Sequence, residues 1–334
     1  MSVPALKYSC IMKKLAVITG VSGQDGAYLS DFLLKKRYNV LGIAPCLTRK
    51  SLINLNYFKI TDKVSLIKGD ITDCRVIKNI LKKYKPDEFY NLAGQSSVAV
   101  SWQKPAETFL VNAYAVEQMI EILRANSPKT RFFQASSAEI YGDRTSRINE
   151  AEKIFMPSNP YAVSKLAAHL EIINQRRNRG LFLCNGILYT HISPLQTELS
   201  VAKKIVSGAV AISQGSKNKL RLGNIDIIRD WGFAGDVVRA MWKILQQPYP
   251  ADYIICTERS YPVKKVVKLA FQEAGIKNWE RYVAIDVNLI RKNDVNSMRG
   301  SCRRLKKIGW KPSMGIKETI ALLVEFEKKK NEQK

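Results

Sequence analysis

The sequence predicts an α/β protein in which a doubly wound parallel sheet is followed by a smaller, mixed α/β C-terminal domain. Three observations carry that expectation. A short apolar, β-branched run, LAVITG at 15–20, ends in a glycine that recurs at every third residue, at Gly23 and Gly26. Strand and helix patterns then alternate from residue 15 to residue 140. At ~150 residues per domain, a chain of 334 residues holds about two domains.

Each element follows from its pattern. LAVITG suits a strand buried on both faces. Residues 27–36 place apolar side chains at helical spacing, and YNVLGIA (38–44), KVSLIKGD (63–70) and DEFYNLAG (87–94) read as strands. Residues 73–85 carry apolar positions at 76, 77, 80, 81 and 84, which form one stripe on a helix. Residues 106–125 form a longer helical pattern, and TRFFQASS (130–137) is the next strand. This alternation implies βαβ units and a Rossmann-type parallel sheet. Further on, residues 161–179 read as a helix, LFLCNGILY (181–189) as a strand, and helices are expected near 200–213 and 235–247. Prolines punctuate the chain near 248–250 and 311–313. The first twelve residues are expected to be loosely ordered, and the lysine-rich tail, 328–334, to fray.

Composition narrows the function classes. Charged residues are 25% and hydrophobic residues 46%, an ordinary globular balance. The 54 Lys and Arg against 29 Asp and Glu give a net charge of +25. Such a surplus fits an anionic partner or substrate, but no aromatic-and-basic cluster or helix-turn-helix pattern accompanies it, so nucleic acid is not expected. The small clusters Lys35-Lys36-Arg37, Arg303-Arg304 and Lys328-Lys329-Lys330 read as solvated helix ends. Six cysteines without a CxxC and only two histidines, His169 and His191, argue against a structural metal site. They suit scattered thiols in a reducing compartment. With no apolar run long enough to span a bilayer and no signal-peptide core, the cytoplasm is the expected location.

Gly20, Gly23 and Gly26 lie between the first strand and the first helix. A strand that turns sharply into a helix whose amides face a pyrophosphate leaves no room for side chains. The pattern therefore reads as a dinucleotide cradle, and a plain tight turn is the alternative. The second strand ends Ala44-Pro45-Cys46 with no carboxylate for a ribose hydroxyl, and Arg49 and Lys50 follow. Cations there slightly favour NADP over NAD, and a solvated loop pair is the alternative reading. Asp70 ends the next strand, where it could meet the adenine edge.

Tyr161 and Lys165, four apart in YAVSK, share one helix face. An ammonium beside a phenol is expected to lower the tyrosine pKa and make it a general base. Ser137 and Glu139 close the preceding strand in QASSAEIYG, where open α/β sheets bind ligands. Glu139 is placed to remove a carbon-bound proton, with a loop acid as the alternative reading.

These residues match a known family. The chain resembles the extended short-chain dehydrogenase/reductases that act on nucleotide sugars, and within them the GDP-mannose 4,6-dehydratases. The likeness runs from about Lys14 to Glu325. It is carried by TGVSGQDGAYLSDFLL, KPDEFYNLAGQSSVAVSW, QASSAEIYG, NPYAVSKLAAH, CNGILYTHISP, LGNIDIIRDWGFAGDVVRAMW and KKIGWKP. QDG and RDWG are the discriminating stretches, whereas YxxxK and SSAE establish only the superfamily.

The resemblance implies a dinucleotide-binding Rossmann domain at 13–190 that carries the catalytic residues. It implies a nucleotide-sugar-binding domain at 191–330, with part of the late chain returning to the first domain. It implies an internal redox reaction: oxidation at C4, loss of water across C5–C6, and hydride return to C6. Tyr161 is the base at O4, Lys165 tunes it, Ser137 bonds the O4 region, and Glu139 takes the C5 proton. The implied cofactor is NADP, with NAD possible. The implied cofactor contacts are Gly20, Gly23, Gln24, Asp25, Gly26, Arg49, Asp70, Ile71, Leu92, Ala93, Gln95, Ser96, Tyr161, Lys165 and His191. The implied substrate contacts are Ser97, Asn185, Lys204, Leu222, Arg229 and Arg291, on a GDP-hexose. A homodimer or homotetramer is implied, with no membrane partner and no metal. The alternative is another reductase, epimerase or dehydratase of the superfamily.

The chain departs from the family pattern at several positions. The family's paired arginines fall at Pro45 and Cys46, and another arginine falls at Gln196. An acid falls at Ile192, a serine at Ala138 and a histidine at Phe233, whereas His191, Arg229 and Arg291 are retained.

Overall fold

The computed structural model describes residues 13–144, 146–290 and 295–332. The expectations for residues 1–12 and for Arg291 lie outside the described residues. In chain order the first half forms β1 (Leu15–Thr19), α1 (Gln24–Lys35), β2 (Asn39–Ala44), α2 (Ile53–Tyr57), β3 (Ser65–Lys68), α3 (Cys74–Tyr84) and β4 (Glu88–Asn91). It continues through α4 (Val98–Gln103), α5 (Pro105–Phe109), a π-helical turn (Leu110–Tyr114), α6 (Ala115–Asn126), β5 (Arg131–Ser137), α7 (Pro160–Arg179) and β6 (Leu183–Leu188). The second half forms β7 (His191–Ile192), α8 (Val201–Ser213), β8 (Leu220–Leu222), β9 (Ile228–Asp230), β10 (Gly232–Phe233), α9 (Ala234–Leu245) and β11 (Tyr253–Ile255). It ends with β12 (Ser260–Pro262), α10 (Val263–Glu273), β13 (Val283–Ile285), α11 (Arg303–Lys307) and α12 (Ile316–Glu332).

The chain divides into two compact units. Of the described residues, the first comprises those within 13–140, 159–187 and 238–253, and the second those within 141–158, 188–237 and 254–332. The first is built on a seven-stranded sheet of order β11-β6-β5-β4-β1-β2-β3. β1 pairs in parallel with both β2 and β4, while β2–β3 and β4–β5 are also parallel. The strand order reverses direction between β1 and β4, which makes that edge-to-edge junction the switch point where such sheets bind ligands.

The strands form here because their side chains are buried on both faces. All five residues of β1 and all four of β4 are buried. Phe89 and Phe132 stack at 5.3 Å in a core with Leu41, Ile120 and Leu183. Each such side chain contributes about 1.5–3 kcal/mol by leaving water. The helices begin and end on recognisable signals. The carboxylate of Asp73 accepts the N–H of Arg75 at 3.0 Å to start α3. Asn159 and Pro160 start α7, and Gly180, at φ 65°, ends it in the left-handed conformation that glycine tolerates.

In the second unit α8, α10 and α12 enclose an apolar core that includes Ile205, Val206, Val266, Phe271, Ile320 and Val324. Lys203 and Glu327 form a buried ion pair at 2.5 Å between α8 and α12. The expectation of a frayed tail is corrected for residues 328–332, which are helical, while residues 333 and 334 lie outside the described residues. α12 runs to Glu332, because Ile320, Leu323 and Val324 bury one face and Glu327 anchors the last turns. No helix among the described residues is long and apolar enough to cross a membrane.

Candidate active site

The C-terminal ends of β1, β4 and β5 carry the candidate site in the first unit. Gly20 takes φ 67°, and a Cβ on it would lie 2.9 Å from the Ala93 nitrogen. A Cβ on Gly26 would lie 2.3 Å from the Gly20 carbonyl oxygen and 2.6 Å from the Val21 Cα. The glycines therefore let β1 turn tightly against both the end of β4 and the start of α1. Gln24 and Asp25 occupy the first turn of α1, with the Gln24 Nε2 donating to the Asp25 Oδ1 at 3.1 Å. This leaves a helix N-terminus at a glycine-lined turn, the geometry that accepts a pyrophosphate.

A buried hydrogen-bond relay ties the strand ends together. The Thr19 hydroxyl donates to Asn91 Oδ1 at 2.6 Å and accepts the N–H groups of Leu92 and Ala93, each at 3.1 Å. Asn91 Nδ2 donates to Gln134 Oε1 at 2.8 Å, and the Gln134 amide donates to the Ala135 carbonyl at 3.2 Å. Lys165 Nζ donates to that same carbonyl at 3.0 Å. The ammonium of α7 is thus held against the backbone of β5.

The other expected positions near the strand ends fall as follows. Arg49 is exposed beyond β2, and Asp70 accepts the Thr72 N–H at 2.9 Å in a local turn. Ile71 is buried in the core. Gln95 accepts the N–H of Ser97 and donates to the Ser97 carbonyl at 2.9 Å, while the Ser97 hydroxyl caps α4. Ser96 is exposed in the same loop.

Tyr161 and Lys165 lie on one face of α7, with the ammonium 5.9 Å from the phenol ring centroid. The expected lowering of the tyrosine pKa is not what this geometry produces. Burial pushes Tyr161 up to about 12; the Ser137 hydroxyl, hydrogen-bonded to it, opposes the rise and the Glu139 charge adds to it. Burial also pulls Lys165 down to about 8. A side chain that is 7% exposed loses its hydration, and the ammonium loses stabilisation with it. In the ligand-free chain the phenol stays protonated at neutral pH.

Glu139 sits in a 3-10 turn, Ala138–Tyr141, directly after β5. Its backbone N–H donates to the Ser137 hydroxyl at 3.2 Å, and its Oε2 accepts from Asn159 Nδ2 at 3.3 Å. Ser137, Glu139, Tyr161 and Lys165 are therefore gathered by β5 and the first turns of α7.

Two positioning residues escaped the sequence analysis. Asn112 lies in the π-helical turn, where its Oδ1 accepts the Gln95 N–H at 2.9 Å and its Nδ2 donates to the Gln95 carbonyl at 2.9 Å and Ser164 Oγ at 3.1 Å. A π turn leaves no mark on a period of 3.6 residues, and the whole stretch reads as one helix. Asn159 was visible as an Asn-Pro helix start, a capping signature.

The remaining expected residues have the following surroundings within their own units. Asn185 is buried beneath α7, and its Nδ2 donates to Asp252 Oδ1 at 3.0 Å and to the His169 carbonyl at 3.1 Å. In the second unit, His191 pairs its Nδ1 with the Tyr189 carbonyl at 2.8 Å, Lys204 is exposed on α8, and Leu222 is buried in the core. Arg229 is 7% exposed on β9 and donates to the Ile228 carbonyl at 3.0 Å.

A dinucleotide cradle at the switch point of a doubly wound sheet, with a tyrosine and lysine on the helix after β5, defines the short-chain dehydrogenase/reductase class. The family model described as GDP-mannose 4,6 dehydratase matches residues 17–323. The chain belongs to that family. It is 39% identical over 324 residues to GDP-mannose 4,6 dehydratase 1 of Arabidopsis thaliana, covering 94% of this chain and 89% of that protein. It is 36% identical over 347 residues to GDP-mannose 4,6-dehydratase of Vibrio cholerae, covering 94% and 93%. Among solved structures, RMD from Pseudomonas aeruginosa complexed with NADPH matches with a TM-score of 0.79 and 24% identity, covering 95% of this chain and 100% of that one. DesIV, a dTDP-glucose 4,6-dehydratase from Streptomyces venezuelae with NAD and TYD bound, matches at a TM-score of 0.84 and 17% identity, covering 96% and 98%. The two structures share the fold.

Proposed function

We propose that this protein dehydrates GDP-mannose, or a close GDP-hexose, to the 4-keto-6-deoxy sugar, with NADP as a tightly bound cofactor and NAD as the second candidate. One observation carries the reading: the family model of the GDP-mannose 4,6 dehydratases matches residues 17–323, and within that match the Glu139 carboxylate stands just after β5, tied through Asn159 to the helix of Tyr161. Redox chemistry at C4 alone needs a tyrosine and a lysine. Elimination of water needs a carboxyl group beside them that can take a proton and give it back. The family membership supports the same choice.

The residues divide the work. Tyr161 takes the O4 proton as its phenolate, a form that the Ser137 hydroxyl bonded to it favours and that a bound cationic nicotinamide would favour further. Glu139 takes the proton from C5, made acidic by the adjacent ketone, and returns it to the departing C6 oxygen, so that one water leaves. Asn159 holds the carboxylate during that exchange. Gly20, Gly23 and Gly26 with the start of α1 hold the pyrophosphate, and Lys165 sits beneath Tyr161. When bound, the nicotinamide supplies reversible hydride storage between C4 and C6. Lys204 and Arg229 are the cations assigned to the substrate diphosphate. A homo-oligomer and a cytoplasmic location complete the proposal.

The test is mass spectrometry of the purified protein with GDP-mannose, supplied with NADP or NAD in separate reactions. Loss of one water from the sugar without net cofactor reduction is expected. Product carrying no such loss, from a folded and cofactor-loaded protein, overturns the assignment.

A further inference from the structure

The Arg303-Arg304 cluster is not a simple solvated helix end. In the second unit it lines a cavity of about 590 Å³ together with Arg147, Lys307, Asn149 and Ser301. Like charges at Arg303 and Lys307, four apart on α11, repel each other. Neither forms an ion pair among the described residues.

The acids nearby are already committed. Glu150 lines the same cavity, but its Oε1 accepts the Ile254 N–H at 3.1 Å. Glu258 accepts the Ser301 hydroxyl at 3.2 Å, the Cys302 N–H at 2.9 Å and Lys306 Nζ at 2.5 Å, and lies 4.0 Å from Arg147. Burial opposes its ionisation, yet Lys306 and the Cys302 N–H outweigh that and hold its carboxyl below the ordinary range.

The site is also built. Glu258 holds φ 62°, a left-handed conformation that a non-glycine residue adopts only when its surroundings impose it. From there its carboxylate ties the start of α11 to Arg147. The backbone does the same: Ile148 N–H donates to the Arg299 carbonyl at 2.9 Å, and Ser301 N–H donates to the Ile148 carbonyl at 2.7 Å. Arg147 thereby lines the same cavity as Arg303 and Arg304.

We infer that this cavity is a binding site for an oligophosphate, distinct from the dinucleotide cradle, with Arg147, Arg303, Arg304 and Lys307 as its cations. Three guanidinium forks around a concave site match phosphate oxygens in charge and geometry. The phosphate chain can come from an inorganic oligophosphate or from a nucleoside triphosphate.

Calorimetric titration of the full chain with inorganic tripolyphosphate, and separately with a nucleoside triphosphate, at near-physiological salt tests this. Arg147→Gln and the double variant Arg303→Gln/Arg304→Gln should each weaken binding by about tenfold or more, the loss of one or two charge-assisted hydrogen bonds. Lys82→Gln/Lys83→Gln, which removes the same charge from exposed positions on α3, should leave it unchanged. Equal affinity for the two probes assigns the phosphate chain alone, and tighter nucleotide binding adds the base; both support the site. No binding, unchanged binding in the cavity variants, or an equal loss in the α3 control overturns it. Because Arg303 and Arg304 are exposed, the double variant should unfold at the wild-type temperature, which separates lost binding from lost fold.

Discussion

Asn159 joins Glu139 to the helix that carries Tyr161: its Nδ2 donates to Glu139 Oε2 at 3.3 Å, while its Oδ1 accepts the Ala162 N–H at 2.8 Å. One carboxamide thus caps α7 and orients the carboxylate. Serine at this position keeps the cap and loses the reach. Asn159→Ser should change stability by less than about 0.5 kcal/mol, as one good cap replaces another. It should lower kcat severalfold with little change in KM. Asn159→Ala should also cost about 1 kcal/mol of stability. Thermal unfolding alongside steady-state kinetics distinguishes the two losses, and unaltered kcat in the serine variant would remove Asn159 from the machinery.

Tyr161→Phe removes the proposed general base and leaves the shape of the site. Turnover should fall by about 10²–10⁴-fold, the usual worth of a positioned base. Cofactor affinity should stay near wild type, because the glycine turn is untouched. Retained turnover in this variant contradicts the role given to the phenol.

Glu139→Gln separates the two halves of the reaction. Exchange of the C5 hydrogen with deuterated solvent, followed by NMR, should stop, and no dehydrated product should form. The variant should also lower the Tyr161 pKa, because the Glu139 charge is one of the two causes that raise it. C5 exchange at the wild-type rate would reduce Glu139 to a bystander.

Burial of Lys165 imposes a stability cost on the folded chain. Its folded pKa, about 8, lies below its ordinary 10.5, so between those values the unfolded chain binds more protons than the native one. Stability from this group therefore rises as pH increases from about 8 to 10.5, and is lost again as pH falls back toward 8. At roughly 1.4 kcal/mol per pH unit the full effect is on the order of 3 kcal/mol. Lys165→Met should abolish turnover, stabilise the ligand-free protein at pH 7 by about 1–3 kcal/mol and flatten this slope. Denaturant unfolding at pH 7 and pH 10 measures both, and a less stable variant at pH 7 contradicts the argument.

Much of the site was legible because its chemistry is encoded locally. The glycines stand where a Cβ meets backbone, as at Gly26, so their spacing reports a close approach before any coordinates are known. Tyr161 and Lys165 share a face because four residues make about one helical turn. What escaped were residues whose partners lie far along the chain. Asn112 serves Gln95 and Ser164 from inside a π turn, and Asn159 reaches back to Glu139, 20 residues earlier. No period or spacing announces such pairs.

By itself the sequence determined the alternating strands and helices, the glycine turn and the Ser137, Glu139, Tyr161 and Lys165 set, because short-range geometry and side-chain chemistry suffice for each. Only the tertiary structure decided the electrostatics. Burial, a property of the packed chain, outweighs the Ser137 hydrogen bond and leaves Tyr161 at about 12, and it leaves Lys165 at about 8. The tertiary structure also decided which cations converge: Arg147 and Arg303 lie far apart in the chain, and it is the pairing of Ile148 with the backbone of Arg299 and Ser301 that brings them to one cavity.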